Sequence, residues 1–247
     1  GVALHKLYDL KYPHLPGLLT ETYRNSDSYM LRLQVFHLLQ HYNSNEFENL
    51  LRASIRDPYE FIRRKSVYAM GRIGKDELIP DIASVYLNDF LDERVKFNAE
   101  FCFELLDMDK VEKEVLDQID KSTFLFDKEK ARSGFIAKIE SRRRIAQMGT
   151  ELADTTKKMS TRLQGVSSLR NNNYHAHVGT YLSLLEDPGQ DMNLRIRLAE
   201  ALGWFTLSRK RDDIVSACRK MADDEKTAPQ LRNELLKTVS RLEEYMR

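Results

Sequence analysis

The sequence predicts an all-α protein built as a solenoid of stacked helix pairs, and three observations predict it. The first is a register shared by five segments. Leu31-Arg32, Ile62-Arg63, Val95-Lys96, Leu194-Arg195 and Leu231-Arg232 each set an apolar residue before a basic one. Counted from the apolar member, offsets 4, 7, 8 and 11 are mostly apolar or small. They read Val35, Leu38, Leu39, Tyr42, then Ser66, Ala69, Met70, Ile73, then Ala99, Cys102, Phe103, Leu106. The later pairs give Leu198, Ala201, Leu202, Phe205 and Leu235, Thr238, Val239, Leu242. Such offsets form one stripe along an α-helix. The second observation is spacing: the starts lie 31, 33, 99 and 37 residues apart, and 99 is three times 33. A repeat of roughly 30–40 residues means stacked helix pairs. The third is the near absence of alternation within β-branched runs, the strand signal.

Taken along the chain, the elements follow from turns and stripes. Turns are predicted at Asn25-Ser26-Asp27, Asn43-Ser44-Asn45, Asp57-Pro58, Gly74-Lys75-Asp76, Asp187-Pro188-Gly189 and Asp223-Asp224. Asn45 with Glu48, and Ser44 just before, read as a helix start. Pro58 and Pro188 precede striped helices, where a fixed φ and a missing N–H are tolerated. The helices before the striped ones are amphipathic too: 45–56 through Phe47, Leu50, Leu51 and Ile55, 77–88 through Leu78, Ile79, Ile82 and Val85, and 212–222 through Ile214, Val215 and Cys218. The unit is therefore helix A, turn, helix B, with B carrying the basic residue. A long polar helix is expected around 127–148, then a Ser/Thr/Lys-rich stretch over 151–170 and a break at Asn171-Asn172-Asn173. Units would fit by length near 128 and 161, without the pattern. The middle reads either as two degenerate repeats, the favoured reading, or as a helical insertion. The stretch 231–245 is expected to cap the stack.

Asp57-Pro58…Ile62-Arg63…Ala69-Met70-Gly71-Arg72-Ile73-Gly74 resembles a HEAT repeat, and so does Leu194-Arg195…Leu198-Ala199…Ala201-Leu202-Gly203. Leu78-Ile79-Pro80 is similar to the opening of the family's A helix. The resemblance covers 15–107 and 174–247 and lapses over 108–173. It implies a right-handed α-solenoid of about six HEAT-like helix pairs, the middle ones degenerate, as a single domain over 1–247. It also implies an Asp–Arg ladder, with Arg32, Arg63, Lys96, Arg195 and Arg232 pairing with Asp27, Asp57, Asp92, Asp187 and Asp224, and a concave face lined by B helices.

Formal net charge is only +1, so the whole chain carries no polyelectrolyte signature and nucleic acid is not expected as a partner. The charge is segregated, however. Residues 76–120 hold 14 acidic against 4 basic residues, and 128–170 hold 11 basic against 4 acidic. That pattern fits two solvated faces of opposite sign, charge-mediated self-association or an anionic partner. Two distant cysteines make no disulfide framework, and a reducing, cytoplasmic setting is expected. No apolar run nears the roughly 20 residues that span a bilayer. The chain begins Gly1-Val2 rather than with Met, so an upstream anchor or domain would lie outside this sequence.

Offsets 2, 6 and 10 point away from the buried stripe, toward the implied concave face. Tyr68, Arg72, Phe97, Phe101, Glu200 and Trp204 stand there, beside His37, His41, Ile196 and Arg241. Large apolar residues on an open face suggest a partner-binding surface, and aromatics with Arg are its usual anchors. The same residues would equally serve to pack adjacent B helices. Arg142-Arg143-Arg144 and Arg209-Lys210-Arg211 are candidate anion contacts, or simply solvated charges near helix ends. His175 and His177 are two apart and splay on a helix, while His37 and His41 lack further ligands, so no metal or other cofactor is expected. No phosphate loop, nucleophile elbow or paired-Cys motif is present. The expectation is a non-catalytic scaffold for a protein or peptide. The alternative is a HEAT-like DNA enzyme of the alkylpurine glycosylase type, which would need a basic concave face with several aromatic residues. HEAT-like pigment lyases are a further analogy, resting on fold alone.

Overall fold

The computed structural model describes residues 2–42, 45–88, 93–125 and 127–244, and these form fourteen α-helices with no strand. α1 (Val2–Asp9) packs against the first hairpin, α2 (Leu15–Asn25) and α3 (Tyr29–Leu39). Two further hairpins follow: α4 (Asn45–Ser54) with α5 (Glu60–Ile73), and α6 (Ile79–Asn88) with α7 (Glu93–Phe103). α8 (Met108–Lys121) pairs with α9 (Lys128–Glu151), and α9 continues far enough to pack on α10 (Met159–Asn171) as well. The hairpins α11 (Val178–Glu186) with α12 (Met192–Leu202), and α13 (Arg211–Asp223) with α14 (Pro229–Glu244), complete the stack. The B helices form one layer in the order α5, α7, α9, α10, α12, α14. In the outer layer α2 lies on α4, α6 on α8 and α11 on α13. The expected all-α stack of helix pairs is what the chain forms. The turn at Asn43-Ser44 and the Asp92 partner of Lys96 lie outside the described residues.

The middle is a degenerate repeat with an identifiable cause. Arg162 sits in α10 at the position Arg195 holds in α12, and its Nε donates to the Leu152 carbonyl at 2.8 Å. Arg195 Nε donates to the Leu185 carbonyl at 2.9 Å. Each guanidinium thus caps the carbonyl end of the preceding helix, where unsatisfied C=O groups gather partial negative charge. Gly165 replaces the apolar stripe residue because α9 runs too close: a Cβ there would stand 2.6 Å from the Met148 carbonyl oxygen.

The expected ladder is corrected by the same geometry. Arg32 pairs with Asp57 of the next repeat at 3.4 Å, not with Asp27. Arg63 donates to the Asp57 and Pro58 carbonyls and Arg232 to the Asp224 carbonyl. Asp187 instead accepts from the Gly189 N–H and the Gln190 amide.

The core divides in two. One cluster runs from Leu4 to Ile139 and the other from Ala146 to Leu242, so the division falls inside α9. The intervening turn of α9 holds Arg142 and Arg143, and both face carboxylates. Arg142 bonds Glu104, which is 4% exposed, and lies 3.8 Å from Glu100. Arg143 reaches Asp109 at 2.6 Å and Glu112 at 2.7 Å. Lys138 pairs with Glu100 at 2.5 Å, and Arg132 pairs with Asp120. The acidic block and the basic block are therefore zipped against each other across α7, α8 and α9, rather than standing as separate faces.

The two bodies also meet away from α9, at a polar joint where the end of α5 touches the loops after α10 and α12. His175 is 7% exposed there. Its Nε2 lies 3.1 Å from the Gly71 carbonyl and its Nδ1 2.9 Å from Ser208 Oγ. A carbonyl only accepts, so Nε2 carries the proton and Nδ1 accepts from the serine hydroxyl. The His175 and Arg209 N–H groups donate to the Leu105 and Ile73 carbonyls. Glu48 receives Lys75 at 2.8 Å and also binds Arg209. Gly74 ends α5 with φ +71°, the left-handed region that favours glycine, and its Cα faces the His175 ring so closely that a Cβ would meet it at 2.2 Å. The basic triplet Arg209-Lys210-Arg211 thus belongs to this joint: Arg211 donates to the Thr206 carbonyl at 3.1 Å, and Lys210 lies 3.8 Å from Asp213.

Candidate functional site: a cationic groove between the two bodies

Joining the bodies encloses a groove of about 570 Å³. One wall comes from α3 and α5, through Phe36, His37, Gln40, Lys65, Tyr68, Ala69 and Arg72. The other comes from the end of α10 and the loop after α12, through Arg170, Asn171, Asn173, Trp204, Thr206 and Leu207. No lining residue is acidic among those described.

Helical spacing builds the first wall. Lys65, Tyr68 and Arg72 lie three and four residues apart on α5, hence on one face. The Tyr68 hydroxyl accepts from Arg72 Nε at 2.9 Å and Nη2 at 2.6 Å, and the guanidinium carbon lies 5.0 Å from the tyrosine ring centre. Arg72 then crosses the groove to the Asn173 side-chain oxygen and to the Asn171 carbonyl at 2.8 Å. These acceptors are all neutral, so none of them offsets the guanidinium charge. On the opposite wall Trp204, 40% exposed, lies between Arg170 at 5.2 Å and Arg241 at 4.7 Å from the ring centre. Arg170 also lies 3.5 Å from Glu200. Burial first, and the Lys65 ammonium second, hold His37 below its ordinary value, which is the sign expected in a positive local field.

Of the partner residues predicted from sequence, Tyr68, Arg72 and Trp204 line this one groove. Phe101 stands behind Tyr68, the rings stacked at 5.9 Å and 10°. Glu200 reaches the groove through Arg170, and its carbonyl accepts from Arg241 at 3.3 Å. Phe97 lies apart, 59% exposed, with the Arg142 guanidinium 5.8 Å from its ring centre. Within the predicted anion contact, Arg142 and Arg143 are engaged by carboxylates of the chain itself, while Arg144 is exposed. Lys65, Arg170, Asn171 and Asn173 were not foreseen. The asparagine run, read as a break, supplies the acceptors that hold Arg72. No group of three or more His, Cys, Asp or Glu able to hold a metal occurs among the described residues. Both cysteines are free and buried, and burial pushes each thiol up to about 12.

No family model matches the chain, and no curated protein does. Among solved structures the chain is similar to human deoxyhypusine hydroxylase in complex with glycerol, at 13% identity and a TM-score of 0.38, over 97% of this chain and 99% of that one. That protein is an enzyme by its name, and the expectation of a non-catalytic chain is withdrawn on this finding. At this degree of likeness neither its activity nor its site residues carry over. No helix among the described residues is long and apolar enough to cross a membrane.

Proposed function

We propose that the groove between the two bodies docks a segment of a partner protein. The observation that carries this reading is convergence: Tyr68 and Arg72 of α5 and Trp204 of the loop after α12, more than a hundred residues apart in sequence, line one cavity. Aromatic and arginine side chains in such a cavity are the residue types that anchor protein interfaces. Half the groove belongs to each body, so a docked segment would bridge them. The buried free thiols support the reading of a reducing, cytoplasmic setting.

The test is site-specific capture. A photo-crosslinking phenylalanine analogue replaces His37, which lines the groove and is exposed. Irradiation in a native lysate should yield a discrete crosslinked protein, and the Tyr68→Ala/Trp204→Ala background should abolish it while circular dichroism stays unchanged. The same crosslink surviving in that folded background would refute the reading.

A further inference from the structure

We infer that the segment docked in this groove is recognised by an oxyanion, a carboxylate or a phosphate monoester, set beside an aromatic or other planar side chain. This rests on the docking reading above and adds the chemistry of what docks. The groove brings together Lys65, Arg72 and Arg170 with Arg241 just behind Trp204, against one neighbouring carboxylate, Glu200. That is four positive charges against one negative in a chain whose total is only +1. The concentration is local and does not follow from composition.

Arg72 and Lys65 differ from Arg142, Arg143 and Arg209 in how they are satisfied. Arg142, Arg143 and Arg209 meet carboxylates of this chain. Arg72 is held by a phenol oxygen, a carbonyl and an amide oxygen. Lys65 has the face of Phe61 at 5.5 Å. An arginine fixed by neutral acceptors is preorganised and uncompensated, which favours an incoming anion. The aromatic component comes from Tyr68 and Trp204, whose rings stand on opposite walls of the same groove. A segment carrying an acidic group next to an aromatic residue fits both features, whereas a basic segment meets like charge.

Trp204 is the only tryptophan, so its fluorescence reports the groove alone. The probes are a short glutamate-rich peptide with a central phenylalanine, the same peptide with glutamine for each glutamate, and the same with phosphoserine. The glutamate and phosphoserine peptides should shift Trp204 emission saturably, and their relative affinities assign the oxyanion. The glutamine peptide should bind at least tenfold more weakly, a difference of about 1.4 kcal/mol. Lys65→Glu, at a residue whose ammonium faces the Phe61 ring at 5.5 Å, should keep its thermal midpoint and lose affinity for both anionic peptides by at least the same factor. Equal binding of the glutamine peptide, or indifference to Lys65→Glu, would overturn the charge inference and leave docking standing. An oligothymidylate that displaces the peptides and binds more tightly than they do would overturn it in favour of nucleic acid. No emission change with any peptide would also overturn it, and capture through position 37 then decides separately whether the groove docks a protein.

Discussion

Lowering the pH should unlock the joint, and His175 sets how far. Burial, with a smaller contribution from Arg72 and Lys210, pushes its imidazole from the ordinary 6.5 down to about 4, against the Gly71 carbonyl, which acts the other way. The unfolded chain takes up this proton near pH 6.5, whereas the folded chain resists it until about pH 4. The unfolded state therefore binds more protons throughout that window, and stability falls as pH falls through it. Each pH unit separating the two values is worth about 1.4 kcal/mol, so the gap corresponds to a loss of about 3 kcal/mol by pH 4. Urea unfolding followed by circular dichroism at neutral pH and at pH 4 measures it. Other groups of the chain also contribute between the two conditions, and His175→Gln removes only the one contribution. The native chain should lose about 3 kcal/mol more than His175→Gln between the two conditions. Equal losses would refute the assignment of a neutral, hydrogen-bonded His175 to the joint.

Further substitutions probe the frame around the groove. Arg142→Met should destabilise the chain by roughly 3 kcal/mol, because Glu104 is buried and would be left with an uncompensated charge, while Arg144→Met should stay within about 0.5 kcal/mol. Denaturant midpoints of the two variants give the comparison, and similar midpoints would contradict it. Gly74→Ala should cost roughly 1–2 kcal/mol from the left-handed conformation alone, and more from the ring of His175 behind it. Its thermal midpoint should be partly recovered when His175→Ala opens space, a non-additivity that a double-mutant cycle reads directly.

The B-helix stripes were legible because offsets of 4, 7, 8 and 11 survive as apolar or small residues in five repeats. The repeat at α10 was not, because Thr161, Gly165 and Ser168 occupy three of its register positions. The close approach of Met148 and Leu152 to Gly165 explains the second of these. Arg162, 33 residues before Arg195, and Leu169 at offset 8 kept the register, and a search for the capping arginine rather than the apolar stripe would have found the repeat. That Tyr68 and Trp204 lie off the buried stripe followed from the same helical arithmetic. That they face each other did not, since Arg72 meets Asn173 across 101 residues and Arg209 meets Glu48 across 161. Contacts at that separation leave no periodic trace. The opposed charge blocks illustrate the same limit: their segregation was visible in the sequence, but their pairing across α7, α8 and α9 depends on packing.

Collisional quenching of Trp204 examines the cationic groove most directly, because the sign of the quencher reads the sign of the local potential. Iodide and caesium are compared at matched ionic strength, each normalised to free N-acetyltryptophanamide. Iodide should quench Trp204 more efficiently than caesium, and Lys65→Glu should narrow the difference. Equal quenching by the two ions, or stronger quenching by caesium, would contradict a positively charged groove at the meeting of the two bodies.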